Sequence, residues 1–348
     1  MTPHEQRRLK DAIGLHFIHQ FGWLRTAELG KLLWPESPAG RQAADTLARS
    51  WIKRQLVIVR ELPEGVGRAF VLATAGVRVL AENGIAAGSG KDIGRFTDNG
   101  WLPPASWRHD LISAGVLCEL HRRGYKIYPE MELRRQVRSH AKIPDGFATK
   151  GTNGIWLETE QARKSGKEMS NLAETLSIVA SGKAAPFKSD RPDISGIKPS
   201  LAMVAFLPTA LDERGHILSH QTRVRNAIQT VAKDDLNIYW AKCTLLGGAG
   251  VGQVEFQEES ISADLVSSIL KIMNASGWRE NKRGGLQVSY KQHIAHVWDG
   301  DHGWNYEVET IDGKRVEASH AANISGAKRA AASALARIDQ PGRTRSAA

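Results

Sequence analysis

Apolar residues in the first part of the chain recur with helical spacing and then with strand spacing. Helical spacing predicts four helices, over 3–20, 26–33, 41–54 and 74–83. Between the third and the fourth, the apolar segments 56–60 and 69–72 flank the turn-forming residues 63–67. Two extended segments joined by a glycine-rich turn are typical of a β-hairpin. We therefore expect three helices, a hairpin and a closing helix.

From residue 106 the pattern predicts helices and strands in mixed order. The predicted helices cover 106–123, 162–180 and 216–233. The predicted strands cover 125–132, 142–150, 155–160, 201–207 and 236–245. The run 201–207 is apolar throughout, as expected for a strand that is buried on both faces. The segment 86–105 before this region is rich in glycine, alanine and proline, so we interpret it as a linker.

A glycine-rich segment over 247–259 predicts a hinge. The elements expected after it are a helix over 260–275, strands at 286–290 with 294–298, 304–310 and 315–318, and a helix over 325–338. We read this as a small α-β-β-β-α domain over 260–340, followed by a flexible tail, 341–348. The order, and the alanine spacing of the last helix, resemble a double-stranded-RNA-binding-type (dsRBD-like) fold.

The first 85 residues resemble a winged helix-turn-helix, in which the third helix enters a major groove. Basic residues on the outer side of that helix and in the wing are the expected DNA contacts: Arg41, Arg49, Lys53, Arg54 and Arg68. We therefore assign 1–85 to a winged-helix DNA-binding domain. The alternative is a winged helix that is used only for protein contacts or dimerisation.

Three carboxylates, Asp145, Glu158 and Glu160, lie on two short extended segments. The turn residues Gly151-Thr-Asn-Gly154 join these segments, so we expect a hairpin. Alternation places Glu158 and Glu160 on one strand face. Converging carboxylates repel unless a cation or a proton lies between them, and oxygen ligands suit Mg²⁺. The alternative is that Asp145 lies in a turn and the glutamates line a solvated strand face.

The sequence Pro144-Asp145 followed by Glu158-x-Glu160 resembles the PD-(D/E)XK nuclease motif, whose last position is usually basic. Lys164 and Lys167 follow closely, and we expect one of them to supply the missing positive charge. The resemblance implies that Asp145 and Glu158 bind Mg²⁺ or Mn²⁺, with Glu160 and Lys164 completing the catalytic set. Together with the order of elements from residue 106, it predicts a restriction-endonuclease-like α/β core over 106–246.

Other charged residues near this motif are further candidates. His109 and Glu119 on the predicted helix 106–123, and Glu130 beyond it, are possible members of the site. The basic run before Asp145 is expected to hold a phosphate backbone through Arg134, Arg135 and Arg138. The alternative is a solvated charged loop.

The same motifs resemble the replication-relaxation family, which includes MobC-type plasmid mobilisation proteins. The resemblance covers roughly the first two-thirds of the chain. It implies nicking of double-stranded DNA at a plasmid transfer origin, beside a coupling protein or other mobilisation proteins, with a homodimer as a further option. The alternative is a catalytically inactive nuclease fold that serves as a DNA-binding accessory or regulatory factor.

Composition agrees with an α+β multidomain protein that has an anionic partner. The 348 residues carry a net charge of +10, and the first 150 hold 23 Lys and Arg against 15 Asp and Glu. A basic excess of this kind favours nucleic acid as the partner. Cys118 and Cys243 lie in apolar surroundings without metal-ligand spacing, which fits a reducing cytoplasm. No apolar run approaches the length of a membrane span.

Overall fold

The structure is a computed structural model. It describes residues 2–98, 100–137, 142–151, 153–161, 164–189, 191–207, 220–245, 251–261, 263–281, 284–300, 303–321, 323–339 and 345–346. The chain divides into two compact units. Unit 1 comprises Met1–Thr159, Pro186–Lys198 and Cys243–Glu255, and unit 2 comprises Glu160–Ala185, Pro199–Lys242 and Phe256–Ala348. Both units mix helices with strands, which confirms the α+β class. The predicted domain boundaries stay predictions, since they concern segments that fold independently.

Unit 1 begins with the elements expected for the first 85 residues. Its helices are α1 (Pro3–Phe21), α2 (Thr26–Leu33), α3 (Gly40–Lys53), α4 (Thr74–Glu82), α5 (Trp107–Arg122) and α6 (Glu130–Gln136). Its strands are β1 (Trp23–Leu24), β2 (Val57–Leu62), β3 (Gly67–Leu72), β4 (Arg95–Thr97), β5 (Gly100–Leu102), β6 (Lys126–Pro129), β7 (Gly146–Lys150) and β8 (Asn153–Glu160), whose last residue belongs to unit 2. Three helices and the β2–β3 hairpin thus follow one another in the predicted order.

The first helices pack around Trp51 of α3, which is fully buried. A Cβ atom at Gly14 of α1 would lie 2.6 Å from the Trp51 ring, so glycine permits the close approach of α1 to α3. Asp11 of α1 is also buried, and its Oδ1 accepts hydrogen bonds from Trp51 Nε1 at 2.7 Å and from Arg54 Nη2 at 2.8 Å. Beside α3, β3 lies between β1 and β2 in an antiparallel sheet.

The segment interpreted as a linker contains a short hairpin, β4–β5. Trp101 Nε1 donates a hydrogen bond to the Ile93 carbonyl at 2.9 Å. The Arg60 guanidinium lies over the rings of Phe96 and Trp101, at 4.7 and 5.7 Å from their centroids. These aromatic contacts order a stretch whose glycine content indicates only turns.

The predicted hairpin around residues 151–154 is confirmed, because β7 and β8 pair antiparallel with Gly146 opposite Leu157. β6 pairs with the other edge of β7. The prediction that the preceding strand continues through Glu132 is wrong, since the chain turns into α6 directly after Pro129. Two acidic residues in the first helical turn favour the helix through its dipole.

Unit 2 contains the remaining elements. Its helices are α7 (Gly166–Ala180), α8 (His220–Val231), α9 (Ala263–Ser276) and α10 (Ile324–Ile338). Its strands are β9 (Pro199–Phe206), β10 (Leu236–Leu245), β11 (Val251–Ile261), β12 (Arg279–Glu280), β13 (Leu286–Tyr290), β14 (His293–Gly300), β15 (Gly303–Thr310), β16 (Arg315–Ala321) and β17 (Arg345–Ser346). The end of β10 and the start of β11 belong to unit 1. β9 and β10 pair in parallel, and β12 to β16 form an antiparallel sheet in sequence order.

Three expectations for this half of the chain change. The expected three-stranded sheet has four long strands, because a turn with Lys291 at φ 53° separates β13 from β14. Strand β11 covers most of the predicted hinge 247–259, whose residues 247–250 lie outside the described ranges. The apolar spacing of the predicted helix 162–180 places Ile178 in a buried stripe with Val179, but Ile178 is 50% exposed. In the ranges that the structure describes, no helix is both long enough and apolar enough to cross a membrane.

Candidate functional site

Asp145 lies directly before β7 and contacts two other elements of unit 1. Its Oδ2 accepts a hydrogen bond from the Thr159 main-chain N–H on β8 at 2.7 Å. The Nε2 of His109 on α5 lies 3.0 Å from the same oxygen. The hairpin and α5 therefore fix the orientation of the Asp145 carboxylate.

His109 pairs with this carboxylate as a cation. Burial lowers the pKa of His109, but hydrogen bonds and charge interactions with Asp110 and Asp145 outweigh burial and raise that pKa to about 10. The imidazole is thus protonated at neutral pH and can donate through Nε2. His109, one of the possible site residues from the sequence, is brought to Asp145.

Glu158 is almost completely buried, with 2% exposure, and has two donors in unit 1. Its Oε1 accepts from Trp156 Nε1 at 2.7 Å, and its Oε2 accepts from Lys142 Nζ at 2.6 Å. The contact between Trp156 and Glu158 confirms that these residues share a strand face, as alternation predicts.

The two carboxylates of unit 1 interact electrostatically. Burial, and then the negative charge of Asp145, raise the pKa of Glu158 to about 7, although Lys142 and Trp156 act in the opposite direction. Asp145 is also hydrogen-bonded to the residue that follows Glu158 in β8. The structure therefore places Asp145 beside His109 and Glu158 beside Lys142, and the Asp145 charge acts on Glu158.

Lys142 is the site residue that the sequence interpretation missed, because the positive charge was assigned to Lys164. Its sequence signal was its position three residues before Asp145, at the start of the segment that leads into β7. Lys164 lies two residues before α7 and forms an ion pair with Glu160 within unit 2. Glu160 is buried, so Lys164 provides a counter-charge for a buried carboxylate.

The two remaining acidic candidates pair with arginines of their own helices. Glu119 on α5 accepts hydrogen bonds from Arg122 and Arg123. Glu130 on α6 pairs with Arg134. The Glu119 and Glu130 carboxylates are thus paired with nearby arginines.

The donor set suits a small two-carboxylate metal site. Among the described residues, no group of three or more His, Cys, Asp or Glu side chains is arranged to hold a metal ion. Mg²⁺ commonly binds through one or two protein carboxylates and retains several waters. Asp145 and Glu158 are compatible with that mode, since a cation between them would offset both causes that raise the pKa of Glu158, which are burial and then the charge of Asp145.

The predicted DNA contacts divide into exposed and internally paired residues. Arg41, Lys53 and Arg68 are exposed, and the Arg49 side chain is 75% exposed beside Asp45. The structure gives internal partners to three others: Arg54 binds Asp11, Arg134 binds Glu130, and Arg135 donates to the His19 carbonyl at 2.9 Å. Arg138 lies outside the described residues. On α3, Arg41, Arg49 and Lys53 are therefore exposed, and Arg49 pairs with Asp45 of the same helix.

Comparisons with known proteins do not assign this chain to a family. Neither a family model, nor a curated protein, nor a solved structure matched the chain. The resemblance to the replication-relaxation family stays a prediction from short motifs. A function is therefore argued from the site itself.

Proposed function

We propose that this protein binds duplex DNA and nicks or cleaves it with a divalent cation held by Asp145 and Glu158. The observation that carries the proposal is that Glu158 is buried, that Asp145 is partly buried, and that the Asp145 charge adds to burial in raising the pKa of Glu158. When bound, Mg²⁺ or Mn²⁺ would polarise the scissile phosphate and lower the pKa of a coordinated water.

The surrounding residues of unit 1 hold the two carboxylates in place. The Thr159 N–H and His109 orient Asp145, while the Trp156 indole orients Glu158. The Lys142 ammonium, 2.6 Å from Glu158, can move to a phosphate oxygen when a cation takes over the neutralisation of Glu158. Such a lysine would stabilise the negative charge that develops on the phosphate.

The arrangement of the first three helices and the β2–β3 hairpin supports a winged-helix role in DNA binding. In that role α3 enters the major groove, and Arg68 of the hairpin approaches a phosphate. The remaining members of the predicted catalytic set, Glu160 and Lys164, form their own ion pair in unit 2. Their place in the catalytic set stays a prediction of the motif resemblance, and the site proposed here consists of residues of unit 1 alone.

Replacement of both Arg49 and Lys53 by Ala is expected to weaken duplex DNA binding by about tenfold or more, since each phosphate contact adds counterion release. The measurement is fluorescence anisotropy with a labelled duplex over a range of salt concentrations. The double variant should also have a shallower dependence of affinity on salt. The matched control is Arg279→Ala with Lys314→Ala, two exposed positions of unit 2. Unchanged affinity in the Arg49 and Lys53 variant would refute the recognition-helix assignment.

The cleavage activity is tested with supercoiled plasmid in Mg²⁺, in Mn²⁺ and in EDTA. We expect nicked or linear product with either metal alone, and a loss of about 100-fold or more in Glu158→Ala. Glu82→Ala is the control, because Glu82 is an exposed residue of α4 in the same unit. Tight binding of the plasmid by the wild-type protein, without breakage of a strand in either metal, would refute the proposed cleavage activity.

The second candidate function is a DNA-binding accessory or regulatory factor without catalysis. One observation favours it: Lys142 and His109 already supply counter-charges to Glu158 and Asp145 without a metal. In that case the four residues would stabilise unit 1 and hold no cation. Binding without cleavage in the plasmid experiment is the result that selects this function.

The motif resemblance suggests a narrower task for the enzyme. A MobC-type role would place strand nicking at a plasmid transfer origin, with a coupling protein, other mobilisation proteins or a second copy of the chain as partners. Comparing nicking of plasmids with and without a transfer origin tests this specificity. Equal nicking of the two plasmids would mean that the protein is a nuclease without specificity for a transfer origin.

A further inference from the structure

A cavity of about 970 Å³ has a described lining that belongs wholly to unit 2. Its walls come from the start of α7, from α8, and from the start of α10 with the end of β16 before it. The volume is at the upper end of the range for small-molecule pockets, which is about 300–1,000 Å³. The cavity therefore has room for a ligand of nucleotide size.

The ionisable side chains in the described lining of this cavity are all basic. Lys164, Arg223, Arg329 and His320 line it, and its described lining contains no Asp or Glu. Lys164 also pairs with Glu160, whereas Arg329 donates to the main-chain carbonyls of Gln229 and Ala232. Both of these acceptors are neutral carbonyl oxygens. No carboxylate among the described residues forms an ion pair with Arg329.

The titration of a neighbouring histidine agrees with a positive potential. Burial lowers the pKa of His220 at the start of α8, and the charges of Arg223 and Lys164 lower it further. Two cationic side chains of the cavity therefore act on the same imidazole. An anion in the cavity would reduce this repulsion.

Two helix N-termini open onto the same cavity. α7 and α10 each have 15 residues, and their N-cap residues, Ser165 and Asn323, both line the cavity together with Gly166 and Gly326. The first turn of a helix presents main-chain N–H groups without helical acceptors, and its dipole favours negative charge. The Ser165 hydroxyl and the Glu168 carboxylate already cap the first turn of α7. The Asn323 side chain accepts from the Gly326 N–H of α10. The N–H groups of Gly166 and Ser325, which also line the cavity, are the ones that remain for a phosphate group.

Asn226 in the cavity wall supplies an independent indication of a ligand. This residue is only 3% exposed, and its Nδ2 donates to the Tyr306 hydroxyl at 2.7 Å. Its Oδ1 is buried and has no hydrogen-bond donor among the described residues. Buried acceptors are nearly always satisfied. Because this oxygen is shielded from solvent, an N–H or O–H group of a ligand, such as a nucleoside carries, would reach it only after a shift of the Asn226 side chain toward the cavity.

We infer that this cavity binds a phosphate-bearing ligand, either a free nucleotide or the phosphorylated end of a nucleic-acid strand. The inference rests on unit 2 alone and is independent of the proposed cleavage site at Asp145 and Glu158. The phosphate lies at the N-termini of α7 and α10, and Arg223 and Arg329 balance its charge.

The test uses calorimetric titration of the full chain with four probes: inorganic phosphate, dAMP, a 5′-phosphorylated hexanucleotide and the same hexanucleotide with a 5′-hydroxyl. The central variants are Thr230→Glu and Thr230→Gln, because Thr230 is an exposed residue that lines the cavity. Glu adds a carboxylate, and Gln adds the same bulk without charge. Arg329→Gln is a third variant, with Arg279→Gln as its exposed control in unit 2.

We expect saturable binding of dAMP, of the phosphorylated hexanucleotide, or of both. Thr230→Glu should weaken that binding by about tenfold, while Thr230→Gln changes it less than about twofold. Binding of dAMP identifies a nucleotide site, and binding of the phosphorylated strand without dAMP identifies a strand-end site. A melting curve shows whether Arg329→Gln folds. If it does not fold, the comparison of Thr230→Glu with Thr230→Gln still tests whether the cavity binds the phosphate-bearing ligand.

Three results would overturn the inference. The first is that no phosphate-bearing probe binds the wild-type chain saturably. The second is equal binding of the hexanucleotide with a 5′-phosphate and with a 5′-hydroxyl, combined with no binding of dAMP. The third is an equal affinity of Thr230→Glu and Thr230→Gln for every probe that binds.

Discussion

Lys142→Ala is expected to lower the free energy of unfolding by about 3 kcal/mol at pH 8, because it leaves the buried Glu158 carboxylate without its cationic partner. Urea denaturation in EDTA measures this change. Lys188→Ala is the matched control, since Lys188 is an exposed lysine of unit 1. That control should stay within about 0.5 kcal/mol of wild type. A Lys142→Ala protein as stable as the control would show that the ion pair contributes nothing.

The dependence of this effect on pH follows from the raised pKa of Glu158. With a pKa of about 7 in the folded protein, against 4.5 ordinarily, Glu158 binds more protons folded than unfolded between these values. Its contribution to stability is therefore present below pH 4.5 and is lost as the pH rises through about 7. At pH 5 the carboxyl group is largely protonated, so Lys142→Ala should cost less there than at pH 8. Mn²⁺ at pH 8 should stabilise Lys142→Ala more than wild type, because the cation replaces the missing charge.

Asp11→Ala is expected to destabilise the protein by about 3–5 kcal/mol, since it leaves one buried donor and one charge without their acceptor. The Asp11 carboxylate accepts from the Trp51 indole at 2.7 Å and from both terminal nitrogens of Arg54 at 2.8 Å. Thermal and urea unfolding measure the loss.

The control for Asp11 is Asp45→Ala on α3, whose ion pair with Arg49 is mostly solvent-exposed. Exposed pairs contribute little, so its effect should be within about 1 kcal/mol. Asp11→Asn keeps one acceptor oxygen for Trp51, so its loss of stability should lie between the losses for Asp11→Ala and Asp45→Ala. Equal stability of all three variants would contradict the assignment of Asp11 as the link between α1 and α3.

Local patterns in the sequence were sufficient for the β7–β8 hairpin and for the face that Glu158 shares with Trp156. Turn residues and strand alternation act over a few positions, so they can be read without tertiary contacts. The same holds for Cys118 and Cys243, which are buried free thiols as their apolar neighbours indicate.

Pairings between distant residues were beyond the sequence. His109 and Asp145 are separated by 36 positions, and their contact depends on how α5 lies against β7 and β8. The spacing of the motif points to Lys164 as the basic residue, but Lys164 pairs with Glu160, and Lys142 is the lysine that contacts Glu158. Likewise, the acidic residues after Pro129 suit either a strand edge or a helix start, and the contacts of α6 decide between them.

The central claim is that one divalent cation binds between Asp145 and Glu158, and calorimetric titration of Mn²⁺ into the metal-free full chain tests it most directly. The account predicts saturable binding of one Mn²⁺ by the wild type and an affinity at least about tenfold lower in Asp145→Asn. Asp92→Asn, an exposed change in unit 1, should bind Mn²⁺ as the wild type does. No saturable binding by the wild type, or an unchanged affinity in Asp145→Asn, would contradict the metal site.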